Sequence, residues 1–132
     1  MHIGFIVEEN MQNNVELMVK ILDKKQAEDI RVIDIEEIST IADFFVIANA
    51  KNLQHLNALV DEIVDELEKA GMHEKKIEGN YTSGWVLIDF GEIILHIFDR
   101  ENRLFYNLEK MWKDGKEVNI DSLIGRNNEG QN

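Results

Sequence analysis

The sequence predicts an α/β fold of the α+β kind, a mixed β-sheet with helices packed on it. Hydrophobic patterns typical of helices and strands follow the order helix, strands, helix, strands, helix, which favours a mixed sheet covered by helices. The chain has 132 residues, of which 44% are hydrophobic, and this size suits one compact domain. Its apolar residues fall in short runs between charged stretches, and no run approaches the roughly 20 residues that a membrane-spanning helix needs.

The first part of the chain predicts one helix and two strands. A helix that ends near Lys25 is predicted by apolar residues at helical spacing, namely Val15, Met18, Ile21 and Leu22. The segment 30–35 is short and β-branched, and the segment 44–48 is almost entirely apolar. Both predict strands, and the second is typical of a strand that is buried on both faces.

A second helix has the clearest pattern in the chain. Its apolar stripe consists of Leu53, Leu56, Val60, Ile63 and Leu67, with Asn52 as the predicted N-cap and Gly71 as the predicted stop. Acidic residues lie largely off this stripe, namely Asp61, Glu62, Asp65, Glu66 and Glu68. We interpret them as a solvated helix face rather than a metal site.

The second part of the chain predicts a β-hairpin and a third helix. A weakly patterned stretch over 72–84 precedes two apolar runs, 85–90 and 93–98, which flank Gly91-Glu92. A glycine-first pair suits a type II′ hairpin turn. Asp99 can cap a third helix, whose buried stripe would be Leu104, Phe105, Leu108, Met111 and Trp112. We further expect a short edge strand within 118–124 and a frayed end over 126–132.

The two-residue turn fixes the register of the hairpin and sorts its side chains into two faces. Trp85 should lie opposite Phe98, with Leu87 opposite His96 and Asp89 opposite Ile94. One face is uniformly apolar and should lie beneath the helices; it carries Val86, Ile88, Phe90, Ile93, Leu95 and Ile97. The other face carries Trp85, Leu87, Asp89, Ile94, His96 and Phe98.

The composition of this second face is unusual for a surface that meets only solvent. Either a further layer of the same chain covers it or another protein does, because tryptophan-centred apolar patches are typical of interfaces. Three helices and one sheet leave little chain to cover both faces of the sheet. The sequence therefore favours an interface, while a core position for the tryptophan stays open as the alternative.

Charge narrows the choice of partner. Twenty-six acidic residues against 14 basic ones give a formal net charge of −12, which repels phosphate backbones and anionic lipid. Direct binding of nucleic acid or membrane is therefore not expected, and the charge suits either simple solubility or a basic protein partner.

The chain has no cysteine, which excludes thiolate nucleophiles and thiolate metal sites within it. Glu8 and Glu9 stand where a secretory signal would be basic or apolar, so we expect a cytoplasmic protein.

Four segments resemble the Iojap-type ribosomal silencing factors in order and spacing. They are Asp29-Ile30, the segment ADFFVIA at 42–48, the segment GWVLIDFGEIILHIF at 84–98, and the segment FYNLEKMW at 105–112. The match spans about residues 15–120, and its specific part is the hairpin followed by the Tyr-x-Leu-Glu-x-x-Trp helix. Residues 1–14 would then be an N-terminal extension and residues 121–132 a flexible tail. The family's Thr-Gly-x-Ser-like loop is replaced here by Asn49-Ala50-Lys51-Asn52.

The resemblance implies a fold similar to nucleotidyltransferases without their catalysis, and no cofactor. It implies binding to the large ribosomal subunit through its ribosomal protein numbered fourteen, which would block joining of the small subunit and lower translation when nutrients are scarce. A homodimer is implied for the free protein. We expect the partner or dimer face to comprise Trp85, Leu87, Asp89, Glu92, Ile94, His96, Phe98 and Tyr106.

An enzyme is the alternative hypothesis. A nucleotidyltransferase needs a Gly-Ser turn for the triphosphate and carboxylates at i, i+2 on a strand for two metal ions. Asp34 and Glu36 have that spacing, but no Gly-Ser pair precedes them. The four histidines, His2, His55, His73 and His96, form no zinc-binding pair, and no nucleophile accompanies His96. We interpret His96 as a hydrogen-bonding residue at the interface.

Overall fold

A six-stranded mixed sheet forms the centre of the computed structural model, which describes residues 2–106 and 113–125 and the side chains of residues 13–103 and 113–125. The elements are α1 (His2–Lys24), β1 (Glu28–Asp34), β2 (Phe44–Ala50), α2 (Leu53–Lys69), β3 (Lys76–Asn80), a 3₁₀ turn (Tyr81–Ser83), β4 (Trp85–Asp89), β5 (Ile93–Asp99), α3 (Arg100–Tyr106), β6 (Lys116–Val118) and α4 (Ile120–Leu123). The predicted fold class is confirmed.

The strand order explains why the sheet is mixed. The strands lie in the order β3-β4-β5-β2-β1-β6. The central pair β2 and β5 is parallel, and every other neighbouring pair is antiparallel. Strand β5 therefore has β4 on one side and β2 on the other, whereas β4 is separated from the sheet edge only by β3.

The main core lies between one face of the sheet and helices α1 and α2. The hairpin face that the sequence predicts to be buried lies in this core, packed with Met18 and Leu22 of α1 and with Leu56 and Ile63 of α2. Asn52 caps α2 as predicted, because its side-chain oxygen accepts the His55 N–H at 2.8 Å. None of the described helices is long and apolar enough to span a membrane.

Two sequence predictions about strands need correction. Strand β3 lies inside the stretch 72–84, where the sequence predicts no strand. All five of its residues are exposed and only Ile77 is apolar, so the strand has no alternating pattern. The predicted edge strand within 118–124 is wrong beyond Val118, since the chain pairs with β1 over Lys116–Val118 and then turns into α4. The predicted apolar stripe of the third helix, from Leu104 onward, and the predicted fraying of 126–132 lie outside the described side chains.

Candidate functional site

The β4–β5 hairpin has the register that its turn predicts. Trp85 pairs with Phe98, Leu87 with His96, and Asp89 with Ile94. Gly91 has a φ of 95°, which is the positive value that a type II′ turn requires of its first central residue. Side chains therefore alternate between the two faces as predicted, and the face opposite the main core is called the Trp85 face below. It carries Trp85, Leu87, Asp89, Ile94, His96 and Phe98.

The two strands of the Trp85 face differ in burial. On β5, Phe98, His96 and Ile94 are 1%, 6% and 8% exposed, and they lie in or against a second apolar cluster with Phe45 and Ile47 of β2. On β4, Trp85, Leu87 and Asp89 are only half-buried. The chain thus covers the central part of this face itself and leaves a strip along β4 within reach of a partner.

A hydrogen bond joins Trp85 to His96 across the two strands. The indole Nε1–H of Trp85 donates to Nδ1 of His96 at 3.2 Å, and the two rings stack with centroids 6.2 Å apart. Because Nδ1 accepts this hydrogen bond, the neutral imidazole must carry its own hydrogen on Nε2. That buried Nε2 has no hydrogen-bond partner among the described residues. The structure thus ties His96 to Trp85 inside the chain, and its predicted role at an interface stays a prediction.

Burial keeps the His96 imidazole neutral. Desolvation lowers the pKa of His96 from 6.5 to about 4. A charged imidazole could not accept the Trp85 N–H at Nδ1, so the neutral form and the orientation of the indole depend on each other.

Close packing between Gly84 and helix α3 fixes the chain at the Trp85 end of the strip. The Asp99 N–H donates to the Gly84 carbonyl at 3.0 Å, and the Asp99 carboxylate accepts the backbone N–H of Asn102 at 2.9 Å. Gly84 has a φ of 79°, and a Cβ built on it would overlap the Asn102 side chain. The side chain of Tyr106, the last residue of α3 and a predicted site residue, lies outside the described side chains.

A polar network that the sequence reasoning missed attaches the start of α3 to the sheet. Arg100 donates to both carboxylate oxygens of Glu28, at 2.7 and 2.6 Å, and holds the pKa of Glu28 below its usual range. Buried Asn49 donates to Glu28 at 3.1 Å and accepts from buried Arg103 at 3.1 Å. Asn49 is the first residue of the segment 49–52 that departs from the family's loop pattern; it lies in β2 rather than in a loop, and it supplies a structural contact here.

The turn end of the hairpin carries carboxylates. Asp89 Oδ1 accepts the Gly91 N–H at 2.7 Å, which closes the turn. Exposed Glu92, a predicted site residue, lies in the turn itself rather than on the Trp85 face. Its carbonyl accepts the N–H groups of Asp43 and Phe44 at 2.8 and 3.0 Å, so the turn is bound to the start of β2. Asp43 was not among the predicted site residues.

The carboxylate pair of the alternative enzyme hypothesis lacks the required placement. Asp34 is the last residue of β1, and its Oδ1 accepts the N–H of Glu36 at 3.1 Å. Glu36 lies beyond the strand, in the turn that follows it. No group of three or more metal-ligating side chains occurs among the described residues. The two carboxylates therefore do not project side by side from one strand.

Comparison with known proteins adds the following similarities. The family model described as "Ribosomal silencing factor during starvation" matches residues 8–132. The ribosomal silencing factor RsfS of Bacillus subtilis (strain 168) is 36% identical over 112 residues, which are 85% of this chain and 95% of that protein. RsfS of Zymomonas mobilis is 40% identical over 103 residues, which are 78% of this chain and 77% of that protein. A crystal structure from Bacillus halodurans, 32% identical, has a TM-score of 0.72 and covers 82% of this chain and 98% of that one.

Proposed function

Because this chain belongs to the ribosomal silencing factor family, we propose that it binds the large ribosomal subunit, blocks joining of the small subunit and so lowers translation. The relatives are named as silencing factors, a regulatory rather than an enzymatic role. The contact we propose on the ribosome is the large-subunit ribosomal protein numbered fourteen, and the cytoplasm is where such a contact would occur.

The observation that carries this proposal on the chain itself is the strip along β4. Trp85 and Leu87 are half-buried side chains on a regular strand, and Asp89 continues the strip toward the turn. A tryptophan with apolar neighbours and a polar rim is the composition of many binding hot spots. The net charge of −12 favours a basic ribosomal protein over bare RNA as the direct contact.

We also propose that the free protein forms a homodimer through the same strip. Two-fold dimers are the commonest homo-oligomers, and such pairing would cover the apolar side chains of the strip. Sedimentation at tens of micromolar, an order-of-magnitude choice for a modest interface, should detect a dimer that Trp85→Ala weakens. A monomer at that concentration would refute the dimer but would not contradict the proposed binding to the large ribosomal subunit.

Subunit joining followed by light scattering tests the main proposal. Purified large and small subunits are mixed with increasing amounts of the protein, and the joining amplitude should fall to a plateau that depends on the large subunit being preincubated with it. Asp61→Asn, which removes one carboxylate from the exposed face of α2, serves as the control and should inhibit like the wild type. Unchanged joining at saturating wild-type protein would refute the proposal.

A further inference from the structure

A cleft lies at the turn end of the hairpin, beyond the Trp85 face. It has a volume of about 450 Å³ and is formed by the loop before β2 and the β4–β5 turn; its lining residues are Ser39, Thr40, Ile41, Ala42, Asp43, Gly91 and Glu92. Asp89 connects the two regions, because it lies on the Trp85 face and its carboxylate accepts the Gly91 N–H. Asp89, at the end of the proposed docking strip, is thus in contact with Gly91 of the cleft lining.

The rim of the cleft carries an exposed apolar side chain, on a loop whose base is held by backbone hydrogen bonds. Ile41 is 63% exposed, and its N–H donates to Ser39 Oγ at 3.1 Å. The loop is fastened at its base, since Ile35 N–H donates to the Asp43 carbonyl at 2.8 Å and Asp43 N–H donates to the Glu92 carbonyl at 2.8 Å. An exposed isoleucine on such a loop is apolar surface that is already positioned for a partner.

The cleft is also electrostatically unbalanced. Burial, together with the carboxylates of Glu92 and Asp34, raises the pKa of Asp43 above its usual range, so these negative charges repel one another in the free protein. Two lysines lie nearby: Lys116 is paired with Glu37 at 2.9 Å, and the Lys75 ammonium lies beside Gly91. Glu37 first, and then Asp34 and Glu36, raise the pKa of Lys116. A further cation would relieve the repulsion at Asp43.

We propose that this cleft receives a lysine or arginine side chain of the basic ribosomal partner, an inference that rests on the proposed function. Long basic side chains lay an apolar stem along apolar surface while the charged head stays among polar groups. Ile41 would contact the stem, and the carboxylates of Asp43 and Glu92 would bind the head. A divalent metal suits the site less well, because the described residues offer no cluster of three ligating side chains.

Substitution of Asp43 should change the affinity for large subunits without lowering the melting temperature. Because the folded protein disfavours the ionised carboxyl, Asp43→Asn should leave the melting temperature at pH 7 unchanged or raised. The same variant should weaken binding to purified large subunits, by roughly fivefold to tenfold for a close charge pair. Glu92→Gln should weaken binding in the same way, and Ile41→Ser should weaken it without altering its salt dependence.

Matched controls come from the same chain. Asp61→Asn and Glu66→Gln remove equal charge from α2, which packs on the other face of the sheet. Ile38→Ser removes an isoleucine that is 44% exposed in the same loop but does not line the cleft. Dissociation and association rates for large subunits are measured at low and high salt, with the melting temperature of each variant. The controls should bind like the wild type.

Three results can be told apart. If the wild type does not bind large subunits, the proposed function fails and this inference falls with it. If the wild type binds and Trp85→Ala weakens binding, but the cleft variants match their controls, only the inference is overturned. If the three cleft variants weaken binding beyond their controls while their melting temperatures are unchanged or raised, the basic side chain occupies the cleft.

Discussion

The two faces of the β4–β5 hairpin differ in what determines their burial. On the helix side, every hairpin side chain from Val86 to Ile97 is buried, whichever strand carries it. On the Trp85 face, burial depends on the strand: the β5 side chains are buried, whereas Trp85, Leu87 and Asp89 of β4 are half-buried. Helices α1 and α2 cover the first face across both strands. On the Trp85 face, the β5 side chains are buried because β5 lies in the middle of the sheet, between β4 and β2.

Because of this difference, we expect stability to depend mainly on the helix-side residues and binding to depend mainly on the residues of the β4 strip. Residues on the helix side contribute to the core and lie out of reach of any partner. Residues on the β4 strip lie where a partner can reach them and are packed less completely. Substitutions of similar size on the two faces should therefore affect different measurements, and four predictions test that separation.

The largest expected effect is on stability and comes from the helix side. Leu95 is fully buried between the sheet and the helices, so Leu95→Ala should lower the free energy of unfolding by about 2–5 kcal/mol. Leu87→Ala, on the half-buried strip, should lower it by about 1 kcal/mol. Urea denaturation of both variants measures the comparison. Equal losses would mean that the strip is as much core as the helix side.

The next effect is on binding and comes from Trp85. Trp85→Ala should weaken binding to large subunits by at least about 2 kcal/mol, mainly through faster dissociation, as is typical of tryptophan hot spots. Trp85→Phe keeps an aromatic ring but removes the Nε1–H that donates to His96. It should retain part of the affinity. Wild-type kinetics in Trp85→Ala, or a loss of binding fully explained by unfolding, would move the site away from this strip.

The third effect concerns the buried His96 behind Trp85. The pKa of His96 is about 4 in the folded chain and near 6.5 when unfolded, so the unfolded state binds the extra proton. The stabilising neutral form is fully favoured above pH 6.5, and its contribution is lost as the pH falls toward 4. Between pH 7 and pH 5 the loss should be about 2 kcal/mol.

Substitution of the histidine isolates its share of the acid sensitivity. His96→Gln keeps an acceptor for the indole N–H and cannot be protonated in this range. Unfolding free energies measured from pH 7 to pH 5 should therefore fall less steeply for the variant than for the wild type. Parallel curves would mean that other groups cause the acid sensitivity and that His96 is not held neutral by burial.

Local signals were enough to predict the hairpin and its two faces. The pair Gly91-Glu92 fixes the turn, and a two-residue turn fixes which side chains lie opposite one another. The diagonal contact of Trp85 with His96 was also within reach of the sequence, since diagonal neighbours on one face can touch when the side chains are long. The predicted position of His96 opposite Leu87 is confirmed, whereas its hydrogen bond to the Trp85 indole was not predicted.

Other features depend on contacts between distant segments and carry little local signal. Strand β3 has one apolar residue, and it forms because β4 offers its free edge for pairing. The ion pair of Glu28 with Arg100 joins residues 72 positions apart, and no pattern in either segment indicates the other. The cleft beside Ile41 likewise requires the loop before β2 to meet the hairpin turn.

The smallest expected effect comes from Asp89, the charged end of the strip. Its carboxylate accepts the Gly91 N–H, and the side-chain oxygen of asparagine can accept the same hydrogen bond, so Asp89→Asn should keep the turn and the melting temperature. What changes is the charge, and charges at the rim of an interface act mainly on association. Association with large subunits should slow by about twofold to fivefold at low salt, and the difference should shrink at high salt. Asp61→Asn on α2 removes the same charge from the other side of the sheet and should associate at the wild-type rate. If both variants slow association equally, only net charge matters, and the β4 strip does not orient the encounter.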